Sequence, residues 1–122
     1  MGLENMLHTR VGSLSGGQRQ ALTMTMSRLY PIDFLILDEH TAALDPKAAD
    51  TIMTLTQRMV KEGKLTAIMV THNLRYALEY GSRLLMMHQG GIEMDVGDKD
   101  KKNLSMDVLL KKFNDISIEC GN

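Results

Sequence analysis

The run Phe34-Leu35-Ile36-Leu37, followed at once by Asp38-Glu39, constrains this chain more than any other feature. Four consecutive apolar residues leave no polar face for water, so the run predicts a strand over 33–38 buried on both faces. A second run, Leu65 to Val70, has the same character. Such strands belong to parallel sheets covered by helices, and the segment between them reads as a helix. Asp45-Pro46 opens it, with Asp as N-cap and Pro at the first helical position. Ile52, Leu55, Met59 and Val60 then recur at helical spacing until Gly63 stops the helix.

The flanking segments extend this α/β alternation. Ser15 is an N-cap for a helix over 16–30, with Ala21, Leu22, Met26 and Leu29 as its apolar face and Pro31 beyond its end. Residues 74–80 form a short helix ending at Gly81, and residues 1–13 read as irregular. Arg83 to His88 and Ile92 to Val96 flank Gln89-Gly90-Gly91, a hairpin signal. Asp98 to Asn103 reads as a charged linker, after which Ser105 caps a final helix through Val108, Leu109, Leu110 and Phe113. The organisation expected is an α/β layer over 1–97 and a charged linker with a C-terminal helix over 98–122.

Composition narrows the functional classes. A net charge of -1 provides no electrostatic footprint for nucleic acid. The single cysteine, Cys120, excludes an intramolecular disulfide and suits a reducing compartment. No apolar run approaches the roughly 18 residues that a membrane span requires, so any membrane role would run through a partner. The eleven methionines read as adaptable core filler.

Three places carry chemistry. Leu14-Ser15-Gly16-Gly17-Gln18 puts adjacent glycines and a hydroxyl at a helix start, where free N–H groups and the dipole favour an anion. The Ser15 hydroxyl either caps the helix or donates to a phosphate oxygen. Asp38 and Glu39 stand at the carboxyl end of a dry strand, where one carboxylate suits Mg²⁺ and the next could polarise an attacking water. His72 follows the second strand, where it is either structural or functional. His8, His40 and His88 share no ligand-like spacing.

These segments, in this order, resemble the ATP-binding cassette (ABC) ATPases. Leu14 to Gln18 resembles the signature motif, and Phe34 to Glu39 resembles Walker B with its catalytic glutamate. Ala43-Leu44-Asp45 resembles the D-loop, and Met69 to His72 the switch-histidine motif. The resemblance implies a partial P-loop NTPase fold of parallel strands, flanking helices and a C-terminal hairpin. It implies Glu39 as general base, His72 as switch histidine and Asp38 as the Mg²⁺ carboxylate. Ser15, Gly16, Gly17 and Gln18 would contact the γ-phosphate of an ATP held mainly by the opposite subunit, with Asp45 at the dimer interface.

It also implies ATP and Mg²⁺ as cofactors, and as partners a second nucleotide-binding subunit, an integral-membrane permease and a solute-binding protein. The expected place of action is the cytoplasmic face of a membrane. Many members of the family carry proline after the catalytic glutamate, whereas this chain has His40.

A nucleotide cradle of the form GxxxxGK[ST] does not occur in the 122 residues. The chain therefore reads as the C-terminal half of a nucleotide-binding domain, inactive by itself, from a subunit that drives solute import of amino-acid type. The alternative is a non-catalytic interaction module that supplies its signature in trans to a complete ATPase subunit.

Overall fold

The computed structural model describes residues 2–120, with side chains as far as residue 118, so the Cys120 thiol lies outside the described side chains. The chain forms two compact units, Met1–Val70 and Thr71–Asn122. In the first, single 3-10 turns at Leu3–Asn5 and Val11–Ser13 precede α1 (Gly16–Ser27), β1 (Phe34–Asp38), α2 (Pro46–Gly63) and β2 (Thr66–Val70). β1 and β2 pair in parallel, in register from Phe34 opposite Thr66 to Asp38 opposite Val70. The α/β reading is borne out.

Local chemistry explains the boundaries. Asp45 Oδ1 accepts the Ala48 N–H at 3.0 Å and Pro46 fills the first helical position, so α2 starts where the sequence predicts. The helix ends as Lys64 turns left-handed, with φ of 49°. The two helices pack through Ala21 and Met24 of α1 against Ile52 and Met59 of α2, and Leu35 of β1 closes the cluster.

Two expectations for the first unit need correction. α1 ends at Ser27, and its buried stripe is Gly17, Ala21 and Met24, while Met26 and Leu29 are exposed and Leu22 is half-buried. The stripe runs at i, i+4, i+7, and Met26 sits roughly 200° round the helix from Met24. The second correction concerns the strands. Leu37 is buried and Leu35 packs on the core, but Phe34, Ile36, Ile68 and Val70 are exposed on the other face. Helices cover one face of this two-stranded sheet, and nothing among the described residues of the first unit covers the other.

The second unit contains α3 (Leu74–Glu79), β3 (Leu84–His88), β4 (Gly91–Val96), α4 (Asp98–Lys101) and α5 (Met106–Cys120). β3 and β4 form the expected antiparallel hairpin. Gln89 and Gly90, with φ of 45° and 77°, give the two-residue turn whose twist matches that of the strands. Leu84 and Met86 of β3 and Leu109 of α5 form its core. Ser105 caps α5 as expected, its Oγ accepting the Val108 N–H at 3.3 Å.

The segment read as a charged linker instead forms α4. Its Lys101 is buried because the ammonium finds acceptors: Nζ donates to the Tyr80 carbonyl and, at 2.8 Å, to the Gly81 carbonyl just beyond α3. Burial holds this ammonium below the ordinary lysine range, against the opposing pull of Asp98. With the folded pKa below the unfolded one, the unfolded chain binds more protons between the two values. Stability of the second unit therefore rises with pH through that window. Lys101→Met should flatten this rise in thermal unfolding followed through the pH range below about 10.5, the ordinary lysine value. An equal slope in both proteins would contradict the assignment.

Candidate functional site

The start of α1 is a capping box. Ser15 Oγ accepts the Gln18 N–H at 3.1 Å, and Gln18 Oε1 accepts the Ser15 N–H at 2.9 Å. The two sequence readings of Ser15 are therefore compatible. Its oxygen caps the helix, and its proton, which that bond does not use, is still available to an anion. Ser15 and Gly16 are exposed, Gln18 is half-buried and Gly17 is buried. A Cβ on Gly16 would stand 3.3 Å from Leu44 Cδ2, so glycine lets the helix start close on the loop that follows β1.

β1 carries Asp38, which is exposed, and Glu39, which is half-buried, to its carboxyl end. Glu39 is left-handed, with φ of 49°. Its N–H donates to the Val70 carbonyl at 2.9 Å and its carbonyl accepts the Ala42 N–H at 3.1 Å. A residue with a Cβ in this region costs about 1–3 kcal/mol and persists only where its surroundings hold it. Strain of this kind gathers at functional sites, and here it falls on the candidate general base.

An open cavity of about 600 Å³ lies in the first unit, lined among others by Gly16, Arg19, Asp38, Glu39 and His40. Arg19 is anchored there by donating Nη1–H to the Leu14 carbonyl at 2.6 Å. His40 is half-buried, and its Nε2 lies 3.1 Å from Thr56 Oγ1 on α2. Burial lowers the His40 pKa, and the Glu39 charge opposes that shift.

Asp45 lies at the foot of α2, where its side chain is the N-cap. Asp45→Ala should cost about 1 kcal/mol in urea unfolding of the chain, whereas Asp45→Asn, which keeps the acceptor, should cost a few tenths. Equal losses would show that the cap does not matter.

His72 belongs to the second unit, exposed in a turn before α3. Thr71 Oγ1 accepts the Asn73 N–H at 3.0 Å and Asn73 Oδ1 accepts the Tyr76 N–H at 3.1 Å. The structure thus brings Gly16, Asp38 and Glu39 to one cavity, pairs Ser15 with Gln18, and puts Asp45 at a helix cap. Sequence reasoning missed Thr56 and Arg19. Thr56 did carry a signal, because it is a polar residue at the i+4 position from Ile52 on the apolar face of α2.

The residues fit Mg²⁺ only in part. Among the described residues no group of three His, Cys, Asp or Glu could hold a metal ion. One exposed carboxylate at a strand end suits Mg²⁺ whose remaining positions are filled by phosphate and water. The residues do not fit an entire ATP, since no lysine-bearing glycine loop is present.

A capped glycine helix start and a parallel strand ending in Asp38 and a left-handed Glu39 thus stand in one unit, and the chain has known relatives. The chain is 50% identical over 111 residues to a tyrosine transport ATP-binding protein of Clostridioides difficile, covering 91% of the chain and 44% of that protein. A phosphonates import ATP-binding protein of Shigella boydii is 28% identical over 116 residues, covering 95% of the chain and 44% of that protein. The histidine/lysine/arginine/ornithine transport ATP-binding protein of Salmonella typhimurium is 36% identical over 88 residues, 72% of the chain and 33% of that protein.

No protein-family model matches. The chain is homologous to the ATP-binding subunits of ABC transporters, and it spans less than half the length of these relatives. Among the described residues no helix is long and apolar enough to cross a membrane.

Proposed function

We propose that this chain is the signature and Walker B part of an ABC nucleotide-binding domain, and that it works only with a phosphate cradle contributed from outside these 122 residues. In the complete assembly ATP hydrolysis would drive solute import, and relatives named for tyrosine and for basic amino acids favour an amino-acid substrate. The observation that carries the reading is Glu39, held left-handed at the carboxyl end of a parallel strand directly after Asp38.

In this reading Asp38 holds Mg²⁺, which when bound offsets charge on the terminal phosphates of ATP. Glu39 polarises the attacking water as general base. Ser15, through its hydroxyl proton, and Gly16, Gly17 and Gln18 contact a γ-phosphate held by the opposite subunit. Asp45 meets the dimer partner while capping α2, and His72 takes the switch role. The partners are a second nucleotide-binding subunit, an integral-membrane permease and a solute-binding protein, at the cytoplasmic face of a membrane. Nucleic acid is not among them.

The test compares two proteins. The isolated chain should show no micromolar ATP binding by calorimetry. The chain joined to the preceding part of the Clostridioides difficile relative should bind ATP and hydrolyse it with Mg²⁺. Micromolar binding by the isolated chain would sink the dependence on an outside cradle. A joined protein that binds ATP without turnover, yet raises the ATPase of a complete subunit, would instead favour the module that supplies its signature in trans.

A further inference from the structure

We propose that His40 is a positioning residue for Glu39: its imidazole, hydrogen-bonded to Thr56 on α2, pins the left-handed turn that sets Glu39 on the cavity rim. The inference rests on the general-base reading of Glu39 for its functional consequence, though not for its geometry.

Proton bookkeeping fixes the direction of the bond. Thr56 Oγ1 lies 2.8 Å from the Ile52 carbonyl and 3.1 Å from His40 Nε2. The carbonyl has no proton to give, so the single hydroxyl proton of Thr56 goes to it. Met24 Sδ, at 3.5 Å, is a weaker acceptor for the same proton and supplies none. With the hydroxyl proton on the closer Ile52 carbonyl, Nε2–H is the donor to Thr56 Oγ1, and the proposal takes the Nε2–H tautomer.

The position of this bond gives it a purpose. Glu39 is held on the sheet side by Val70 and within its own turn by Ala42. His40 is the next residue, and its ring reaches a buried threonine on an 18-residue helix whose neighbouring Ile52 is the most deeply buried residue of the core. The turn is thereby tied to a strand on one side and to a rigid helix on the other. A left-handed residue with a Cβ relaxes toward the right-handed or extended regions when its anchors weaken. That relaxation would swing the carboxylate away from the cavity that Glu39 lines together with Asp38.

Thr56→Val keeps the shape and removes the acceptor, and Thr56→Ser keeps the acceptor. His40→Ala removes the ring and leaves α2 untouched, so it serves if the valine variant fails to fold. In nitrogen-15 NMR of the chain, the wild-type ring should show Nε2–H, and Glu39 should show the strong intraresidue amide-to-Hα NOE of a positive φ. Thr56→Val should lose the tautomer preference, both it and His40→Ala should weaken the Glu39 NOE, and Thr56→Ser should restore both signals.

In the joined protein, Thr56→Val should lower kcat for ATP roughly ten- to a hundredfold with KM little changed, as expected when a reacting group is misplaced. An Nδ1–H ring in the wild type, an unchanged Glu39 NOE in both variants, or an unchanged kcat would overturn the proposal. If Glu39→Gln retains turnover, the general-base reading fails, while the NMR signals still judge the tether by themselves.

Discussion

Glu39→Gln in the joined protein should lower ATP turnover by about 10²–10⁴-fold, the range a positioned general base supplies, and leave ATP binding nearly intact. The amide matches the carboxylate in size and shape. The backbone bonds to Val70 and Ala42 do not involve the side chain, so the left-handed turn should survive. What is lost is the ability to take a proton from water. Measured as kcat and KM separately, the loss should fall on kcat, because an interaction made only on the way to the transition state does not appear in ground-state binding. Turnover within a factor of about two of wild type would remove Glu39 from the chemistry, since general-base losses are far larger. A parallel loss of ATP binding would mean instead that the substitution had disturbed the cavity.

The backbone plan was legible in the sequence because its signals are local. Ser15 with Gln18, Asp45 with Pro46, and Gln89 with Gly90 each specify an end or a turn through atoms a few residues apart. The acid pair was legible for the same reason, since a dry strand ending in two carboxylates is a contiguous pattern. The failures are all tertiary. Nothing local says that Met24 rather than Met26 faces α2, because both are methionines on one helix and only the partner's position decides. Nothing local says that Lys101 is buried, because its acceptors at Tyr80 and Gly81 lie some twenty residues back along the chain. His40 and Thr56 are sixteen residues apart, and neither looks informative until the fold brings them together. The left-handed turn at Glu39 is a further case, because glutamate gives no hint of a positive φ.

The strands show a different limit. Their continuous apolar runs predicted cover on both faces, yet Phe34, Ile36, Ile68 and Val70 are exposed here. A pattern of hydrophobic residues reports the surroundings in which a segment is stable, and on this face the described residues of the first unit do not supply them.

The same contrast gives the second large effect, in stability. Ile52 is 0% exposed at the junction of α1, α2 and β1, whereas Ile36, on the bare face of β1, is 67% exposed. Ile52→Ala removes three carbons from a packed site and should cost about 2–5 kcal/mol. A unit of this size has only a few kcal/mol to lose, so the variant should be largely unfolded at room temperature.

Ile36→Thr should change unfolding free energy by no more than about 0.5 kcal/mol, since the side chain already faces water. It should also reduce self-association, because an apolar sheet face and open strand edges recruit other chains. Urea unfolding by circular dichroism, with light scattering alongside, reads both effects. Comparable destabilisation by the two substitutions would mean that the face bearing Ile36 is already covered in solution, by a second copy of the chain. In that case scattering should show a dimer in the wild type that Ile36→Thr dissociates.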